Sequence, residues 1–373
     1  MAALAPALPA RSTVGAPAEG DDGTMAESAT LLARTRCELQ HVYYDHGVFS
    51  IAGWIFEPGM PFDEVVVRVG GEDRARVPLD PSPGVAEHFP WIPEARRASF
   101  RAAFFLEGAC VHPYAAIEIR ALRGGEPRAR NATRFVPGFT ERVSPPPPHL
   151  MERVSACRDL QAFRLAGLAT VGEFWSAWER HRAGTPLTLC LDWGCGCGRL
   201  SSIVLACAPD ARLTGCDIDA EAVKWCRAHL KEGRFRRIDT APPTPFRSGE
   251  FDLVLGYSVL THLAASDQRA WIRELARVVS PRGLVLATVH GPGAALFSPD
   301  PGLPARLERD GFVDAGRDGR LDGVTSDREY YRVIFQTPEW TRETFERGTG
   351  LRVVEHAERA MSGYQDLVVL EKA

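Results

Sequence analysis

The sequence predicts an α/β chain: a parallel sheet with helices on both faces, preceded by a small all-β sandwich. Three observations predict it. From Leu187 onward, apolar strand-like runs alternate with helix-period segments, the order a doubly wound sheet requires. From Cys37 to Phe139, short β-branched and aromatic runs are separated by Gly and Pro with little helical periodicity, which suits an antiparallel sandwich. Between the two regions stands Ser144-Pro145-Pro146-Pro147-Pro148, a stiff extended spacer that continues neither sheet nor helix.

These breaks divide the chain into a disordered tail at 1–36, a sandwich at 37–140, a linker at 141–150 and the α/β domain at 151–373. The total of 373 residues is ample for two cores. The tail is rich in Ala, Pro, Gly and Asp and lacks the cationic start and apolar centre of a secretion signal.

In the sandwich, Val48–Ile55, Glu64–Val69, Phe100–Leu106 and Ala115–Leu122 read as strands, the second closed by the turn Gly70-Gly71. Beyond the linker, Phe163, Leu165, Leu168, Val171, Phe174, Trp175 and Trp178 recur at helical intervals within Met151–Arg182. An apolar run then enters Asp192-Trp193-Gly194-Cys195-Gly196-Cys197-Gly198, and Leu200–Ala208 follows as a helix. Glycines at these positions let the backbone bend tightly and approach a ligand closely. Such turns lie at the carboxyl ends of parallel strands, where doubly wound sheets bind ligands.

Asp217 ends the next strand, nineteen residues after Gly198. A carboxylate there can accept both hydroxyl protons of a ribose, and the adjacent Ile218 can cover an adenine face. Asp219 reads as the cap of the helix Ala220–Leu230. A dinucleotide fingerprint wants its third glycine where Arg199 stands, so an NAD-dependent oxidoreductase is disfavoured.

Composition narrows the partners. A formal charge of −4 supplies no concentrated basic face, so no nucleic acid is expected; Arg96-Arg97 and Arg236-Arg237 read as solvated surface. No run of 18 apolar residues is present, so no membrane span is expected. Nine cysteines occur without a CxxC pair. They read as reduced, buried thiols of a cytoplasmic protein, with no metal site. The sequon at Asn131 then counts as chance. Oligomeric state is left open.

The DxGxGxG run from Asp192 resembles motif I of the class I S-adenosylmethionine-dependent methyltransferases, in the form VLDxGCGCGR. Phe246–Leu263 resembles the family's fourth-strand motif, ending in an SVxTHL-like stretch, and Glu274–Leu286 its helix–turn–fifth-strand motif, with Arg282 where glycine is usual. The tail Gly363–Leu370 looks like the antiparallel seventh strand, after a helix at Pro338–Arg347 and a sixth strand near Leu351–Glu355. The resemblance covers about residues 150–373 and implies a seven-stranded Rossmann-like sheet that binds S-adenosylmethionine. Carried over residue by residue, it implies cofactor contacts from Asp192, Gly194, Cys195, Gly196, Gly198, Asp217 and Ile218, from Asp239 at the adenine amino group, and from Tyr257 at the methionine end.

Methyl transfer from a sulfonium is an in-line displacement, so the protein mainly aligns donor and acceptor. A protonated hydroxyl acceptor also needs a base. His262 and His290 follow the fourth and fifth strands and are the candidates, against the plainer reading that they pack or line the site. Tyr330 and Tyr331 lie in the connection Gly291–Gln336, where the family builds acceptor lids, and Asp310–Asp327 has the Gly- and Asp-rich composition of a mobile cover.

The SVxTHL-like stretch and the sandwich together look like bacterial methyltransferases found beside glycosyltransferases. That likeness makes a hydroxyl of a saccharide or glycosylated metabolite the first acceptor to consider. A small secondary metabolite is the second, and a catalytically silent cofactor-binding or interaction module is the reading from another class.

Overall fold

The computed structural model describes residues 35–111, 115–135, 144–156, 158–298, 300–327 and 329–373. The expected tail lies outside this set apart from Thr35 and Arg36, and so do residues 136–143, on which part of the linker reading falls.

The amino-terminal half contains β1 (Arg36–Asp45), β2 (Val48–Phe56), β3 (Glu64–Val69), β4 (Glu72–Pro78), β5 (Asp80–Pro81), a short helix α1 (Pro83–His88), β6 (Arg97–Phe105), β7 (Ala115–Arg123) and β8 (Glu126–Phe135). They form two four-stranded antiparallel sheets, ordered β1-β2-β6-β5 and β4-β3-β7-β8. Ile51 and Ile55, Val65 and Val67, Phe100, Ile117 and Ile119 come from both sheets and are buried in one cluster, as the period of two predicts for strands with one apolar face. Charged β4 shows no alternation and has no buried residue, so its pairing with β3 was not written in its own pattern.

Ser144–Pro147 is irregular, as expected, but Pro148 already opens helix α2 (Pro148–Ser155). The first helical position needs no N–H donor, which is why proline starts a helix there. After a break, α3 (Leu160–Arg182) follows, its start capped by the Asp159 carboxylate accepting from Ala162 N–H. The single helical span read from the sequence is therefore two helices.

Strands and helices then alternate: β9 (Leu189–Trp193), α4 (Arg199–Cys207), β10 (Arg212–Asp217), α5 (Ala220–His229), β11 (Arg234–Arg237), β12 (Phe251–Gly256), α6 (Ala265–Val278) and β13 (Val279–Val289). Two short helices, α7 (Pro292–Ala295) and α8 (Leu303–Asp310), lead into β14 (Phe312–Arg317) and β15 (Arg332–Gln336), which pair as a separate two-stranded sheet. Helix α9 (Pro338–Glu346), β16 (Leu351–Met361) and β17 (Gln365–Lys372) complete the chain.

The seven-stranded sheet has the order β11-β10-β9-β12-β13-β17-β16. β9 to β13 pair in parallel, while β17 runs antiparallel to both neighbours. Continuous apolar runs such as Leu284–Ala287 and Leu367–Leu370 are wholly buried, as strands covered on both faces require. The order reverses between β9 and β12, and the crevice at such a switch point is where doubly wound sheets take ligands. Arg282 has φ 62°, the left-handed conformation that the usual glycine would adopt without strain.

Candidate active site

The site begins where β9 ends. Gly194 and Gly196 have φ 76° and 52°, and a Cβ on them would come within 2.4 Å of Val259 and 2.5 Å of Val154. A side chain at either position is excluded by both backbone angle and space. The N–H groups of Gly194 and Cys195 donate to the Cys216 carbonyl at 2.8 and 3.1 Å, binding the turn to β10. One strand over, Asp217 accepts from Gly196 N–H at 2.7 Å through one oxygen and from Asp219 N–H at 2.8 Å through the other. Burial pushes the acids of both Asp217 and Asp192 up to about 6, and Ser201 Oγ donates to Asp192 at 2.6 Å.

Asp192, Gly194, Gly196 and Asp217 line a cleft of about 980 Å³, open mouth included. Of the residues expected at the cofactor, Asp192, Gly194, Cys195, Gly196, Asp217, Ile218 and Tyr257 line it. Gly198 caps α4 with φ 77° and is not among the lining residues. Asp239 is exposed, and its neighbour Ile238 lines the cleft instead.

Further residues complete the wall. Arg153 and Val154 reach in from α2; Arg153 pairs with Asp219 at 2.9 Å and Glu221 at 2.8 Å, pinning that helix across the glycine turn. Arg199 lies over the rings of Tyr257 and Phe163, 5.1 and 5.7 Å from their centres, and its buried Nε has no hydrogen-bond partner. Trp271, packed 5.1 Å from Trp193, closes another side.

The far wall consists of His262, Tyr330, Tyr331, Arg320 and Leu321. The segment Asp310–Asp327, expected as a mobile cover, holds β14, paired with β15, and a turn at Gly319–Leu321. Tyr331 stacks on His262, with ring centres 4.0 Å apart. His262 Nδ1 meets the Arg332 carbonyl at 2.7 Å and its Nε2 meets Arg320 Nη2 at 3.5 Å. A carbonyl only accepts and a guanidinium only donates, so Nδ1 carries the proton and Nε2 presents a lone pair. Burial, Arg320 and His290 lower the pKa of His262 to about 3. His290 is buried, bonds the Ile334 carbonyl through Nδ1 at 3.0 Å, and is lowered to about 4 by burial. It is not among the lining residues.

S-adenosylmethionine fits these side chains on two counts. Each Asp217 oxygen accepts one N–H, and a carboxylate offers about four lone-pair positions in all, which leaves acceptors for ribose hydroxyls. The unpartnered Nε of Arg199 beside the glycine turn suits an amino-acid carboxylate. The eight described cysteines are free; burial raises the thiols of Cys190, Cys197 and Cys216, and a hydrogen bond with Cys226, then burial, raises that of Cys195. Among the described residues, no His, Cys, Asp and Glu group has the arrangement of a metal site, and no helix is long and apolar enough to cross a membrane.

Residues 190–283 match the family model described as a methyltransferase domain. A stretch of 100 residues is 36% identical to a tRNA (carboxymethyluridine(34)-5-O)-methyltransferase of Arabidopsis thaliana. It covers 26% of this chain and 23% of that protein, so the chain spans about a quarter of the curated relative's length. Among solved structures, an S-adenosylmethionine-dependent methyltransferase from Mesorhizobium loti is similar over 54% of this chain and 98% of its own, with 17% identity and a TM-score of 0.40. One from Methanosarcina mazei is similar over 52% and 96%, with 17% identity and a TM-score of 0.37.

Proposed function

We propose that this chain, whose residues 190–283 match the methyltransferase-domain family model, is a class I S-adenosylmethionine-dependent methyltransferase that transfers a methyl group to a hydroxyl of a saccharide or glycosylated metabolite. The observation that carries the transfer reading is that one cleft joins the Gly194–Gly196 turn and Asp217 to a second wall of His262, Tyr330 and Tyr331. A donor seated on the first wall presents its reactive end to an acceptor on the second.

In this reading Asp217 accepts from both ribose hydroxyls and Ile218 covers the adenine. Arg199 meets the methionine carboxylate, beside the backbone of Gly194, Cys195 and Gly196. Asp192 steadies the turn through Ser201, Gly198 starts the helix behind it, and Asp239 stands next to Ile238 toward the adenine amino group. Tyr257 lies at the methionine end. The bound donor supplies a methyl group already activated on a sulfonium leaving group.

The chain's residues hold the acceptor in line and exclude water. Tyr330 and Tyr331 offer flat faces to a sugar ring, and His262 Nε2, whose single lone pair faces Arg320 Nη2 at 3.5 Å in the free protein, accepts the hydrogen of the attacking hydroxyl when the acceptor takes the place of Arg320. A nitrogen so weakly basic orients the hydroxyl and takes its proton only as the oxygen–carbon bond forms. His290, set 6.3 Å from His262 ring to ring, supports that residue from behind.

The two amino-terminal sheets are read as a sandwich accessory domain over 37–140, joined through 141–150 to the methyltransferase domain at 151–373. Together with the SVxTHL-like stretch at Ser258–Leu263, the sandwich resembles in sequence pattern bacterial methyltransferases found beside glycosyltransferases, and the saccharide acceptor is proposed by that association; the cysteines and composition support a cytoplasmic setting.

The alternative acceptor is a small secondary metabolite methylated on nitrogen or oxygen. The plant relative's name specifies tRNA, whereas the −4 charge of this chain favours a smaller acceptor. The test is S-adenosylhomocysteine release across glycosides, phenols, amines and bulk tRNA. Release with glycosides is expected. Release with phenols, amines or tRNA alone overturns the saccharide acceptor, and tight binding of the donor without release from any of them favours a silent module. Titration with NAD, expected to show no binding, tests the oxidoreductase reading.

A further inference from the structure

We infer that Thr288 on β13 and Gln365 on β17 are positioning residues for the donor site, acting through the backbone of Ser258. This inference rests on the donor-binding reading above.

Ser258 has φ 57°, a left-handed conformation that costs a side-chain-bearing residue free energy and persists only when its surroundings fix it. Its two chain neighbours are the parts of the β12 loop that touch the donor wall. Tyr257 packs against Arg199, and Val259 fills the space that the missing Cβ of Gly194 leaves open. If Ser258 relaxes to the ordinary right-handed or extended region, both neighbours turn away from the glycine bend.

What fixes Ser258 is a closed circuit of hydrogen bonds through Thr288, Gln365 and Thr261. Ser258 N–H donates to Thr288 Oγ at 2.7 Å. The single Thr288 hydroxyl proton goes to Gln365 Oε1 at 2.6 Å. That bond orients the amide, so Gln365 Nε2 donates to Ser258 Oγ at 3.0 Å. Thr261 Oγ donates to the Ser258 carbonyl at 2.9 Å, which leaves Ser258 Oγ to donate to Thr261 Oγ at 3.0 Å. Thr288 is wholly buried, and Gln365 is 7% exposed. Neither lines the cleft. A buried network whose members bond one another specifies one arrangement, and removing one member leaves others unpaired.

The test is calorimetric titration of the full chain with S-adenosylhomocysteine, beside thermal unfolding of the free protein. Thr288→Val keeps the volume and removes the hydroxyl; Gln365→Leu removes the amide; Thr288→Ser keeps the hydroxyl. The first two are expected to weaken binding about tenfold or more while still unfolding cooperatively, and Thr288→Ser to bind within about twofold of wild type. Wild-type binding with unchanged affinity in folded Thr288→Val and Gln365→Leu overturns this inference alone. Failure of wild type to bind overturns the donor reading and this inference with it. Equal weakening by Thr288→Ser also overturns it, since packing rather than the circuit would then matter. Should the Val and Leu variants not fold, Gln365→Asn, which keeps the amide but shortens its reach, is expected to weaken binding, and unchanged affinity overturns the inference.

Discussion

The Asp217 carboxylate, at the end of β10, holds the Gly196 N–H of the neighbouring β9 turn at 2.7 Å. The acid assigned to the ribose is thereby also a brace for the bend assigned to the methionine. Asp217→Ala removes both duties and Asp217→Asn only weakens them. Charge-assisted hydrogen bonds contribute roughly 1.5–3 kcal/mol each, so Asp217→Ala is expected to lower S-adenosylhomocysteine affinity by a hundredfold or more, and Asp217→Asn by less. Titration calorimetry measures both, and circular dichroism should show the fold retained. Unchanged affinity in the alanine variant would mean that the ribose lies elsewhere.

Donor binding should also depend on pH. Burial raises the Asp217 acid to about 6, and only the ionised form accepts from two ribose hydroxyls. Below pH 6 binding must displace a proton, so the dissociation constant is expected to rise by up to tenfold per pH unit. Asp192 is raised to the same range and steepens the fall if it too must ionise. A flat profile between pH 5 and 7 would contradict the assignment.

What the sequence made legible is what is local in the chain. The glycine run, Asp217 and the Asp219 cap each lie within one strand-to-helix unit, where spacing alone dictates geometry. Arg153, Val154 and Arg320 carry no motif. They enter the cleft because helix α2 and the turn before β15 fold back across it. The Ser258 circuit was invisible for the same reason, since its members are spread over three strand ends. In β14, tertiary pairing overrode the local preference of Phe312–Arg317, and in β4 the absence of a buried face hid the strand.

Arg282 offers a test of the fold independent of ligand. Its φ of 62° is one that a side chain adopts at a cost of roughly 1–2 kcal/mol, partly offset in glycine by the greater freedom of its unfolded chain. Arg282→Gly is therefore expected to stabilise the protein by about 0.5–1 kcal/mol, read as a small rise in melting temperature. A lower melting temperature would show that the arginine side chain contributes more than its backbone angle costs.

His262 and His290 are held neutral, at about 3 and 4 rather than the usual 6.5. Such groups bind protons more readily when unfolded, so stability is full above pH 6.5 and is lost as pH falls from there toward the folded values. The loss approaches 1.4 kcal/mol per histidine for each pH unit within that window. Asp192 and Asp217 act in the opposite sense, since their raised acids favour the folded state as pH falls below 6. Comparison with variants separates the contributions: His290→Gln cannot titrate, so its melting temperature should fall less than that of wild type between pH 7 and 5. For His262, activity on the identified acceptor adds a second readout. A neutral Nε2 that only orients a hydroxyl should give a rate without an acidic limb near 6.5, and His262→Leu should lose activity beyond tenfold. A limb at 6.5 that disappears in His262→Gln would instead make this residue an ordinary titrating base, with an imidazole far more exposed to water than its burial implies.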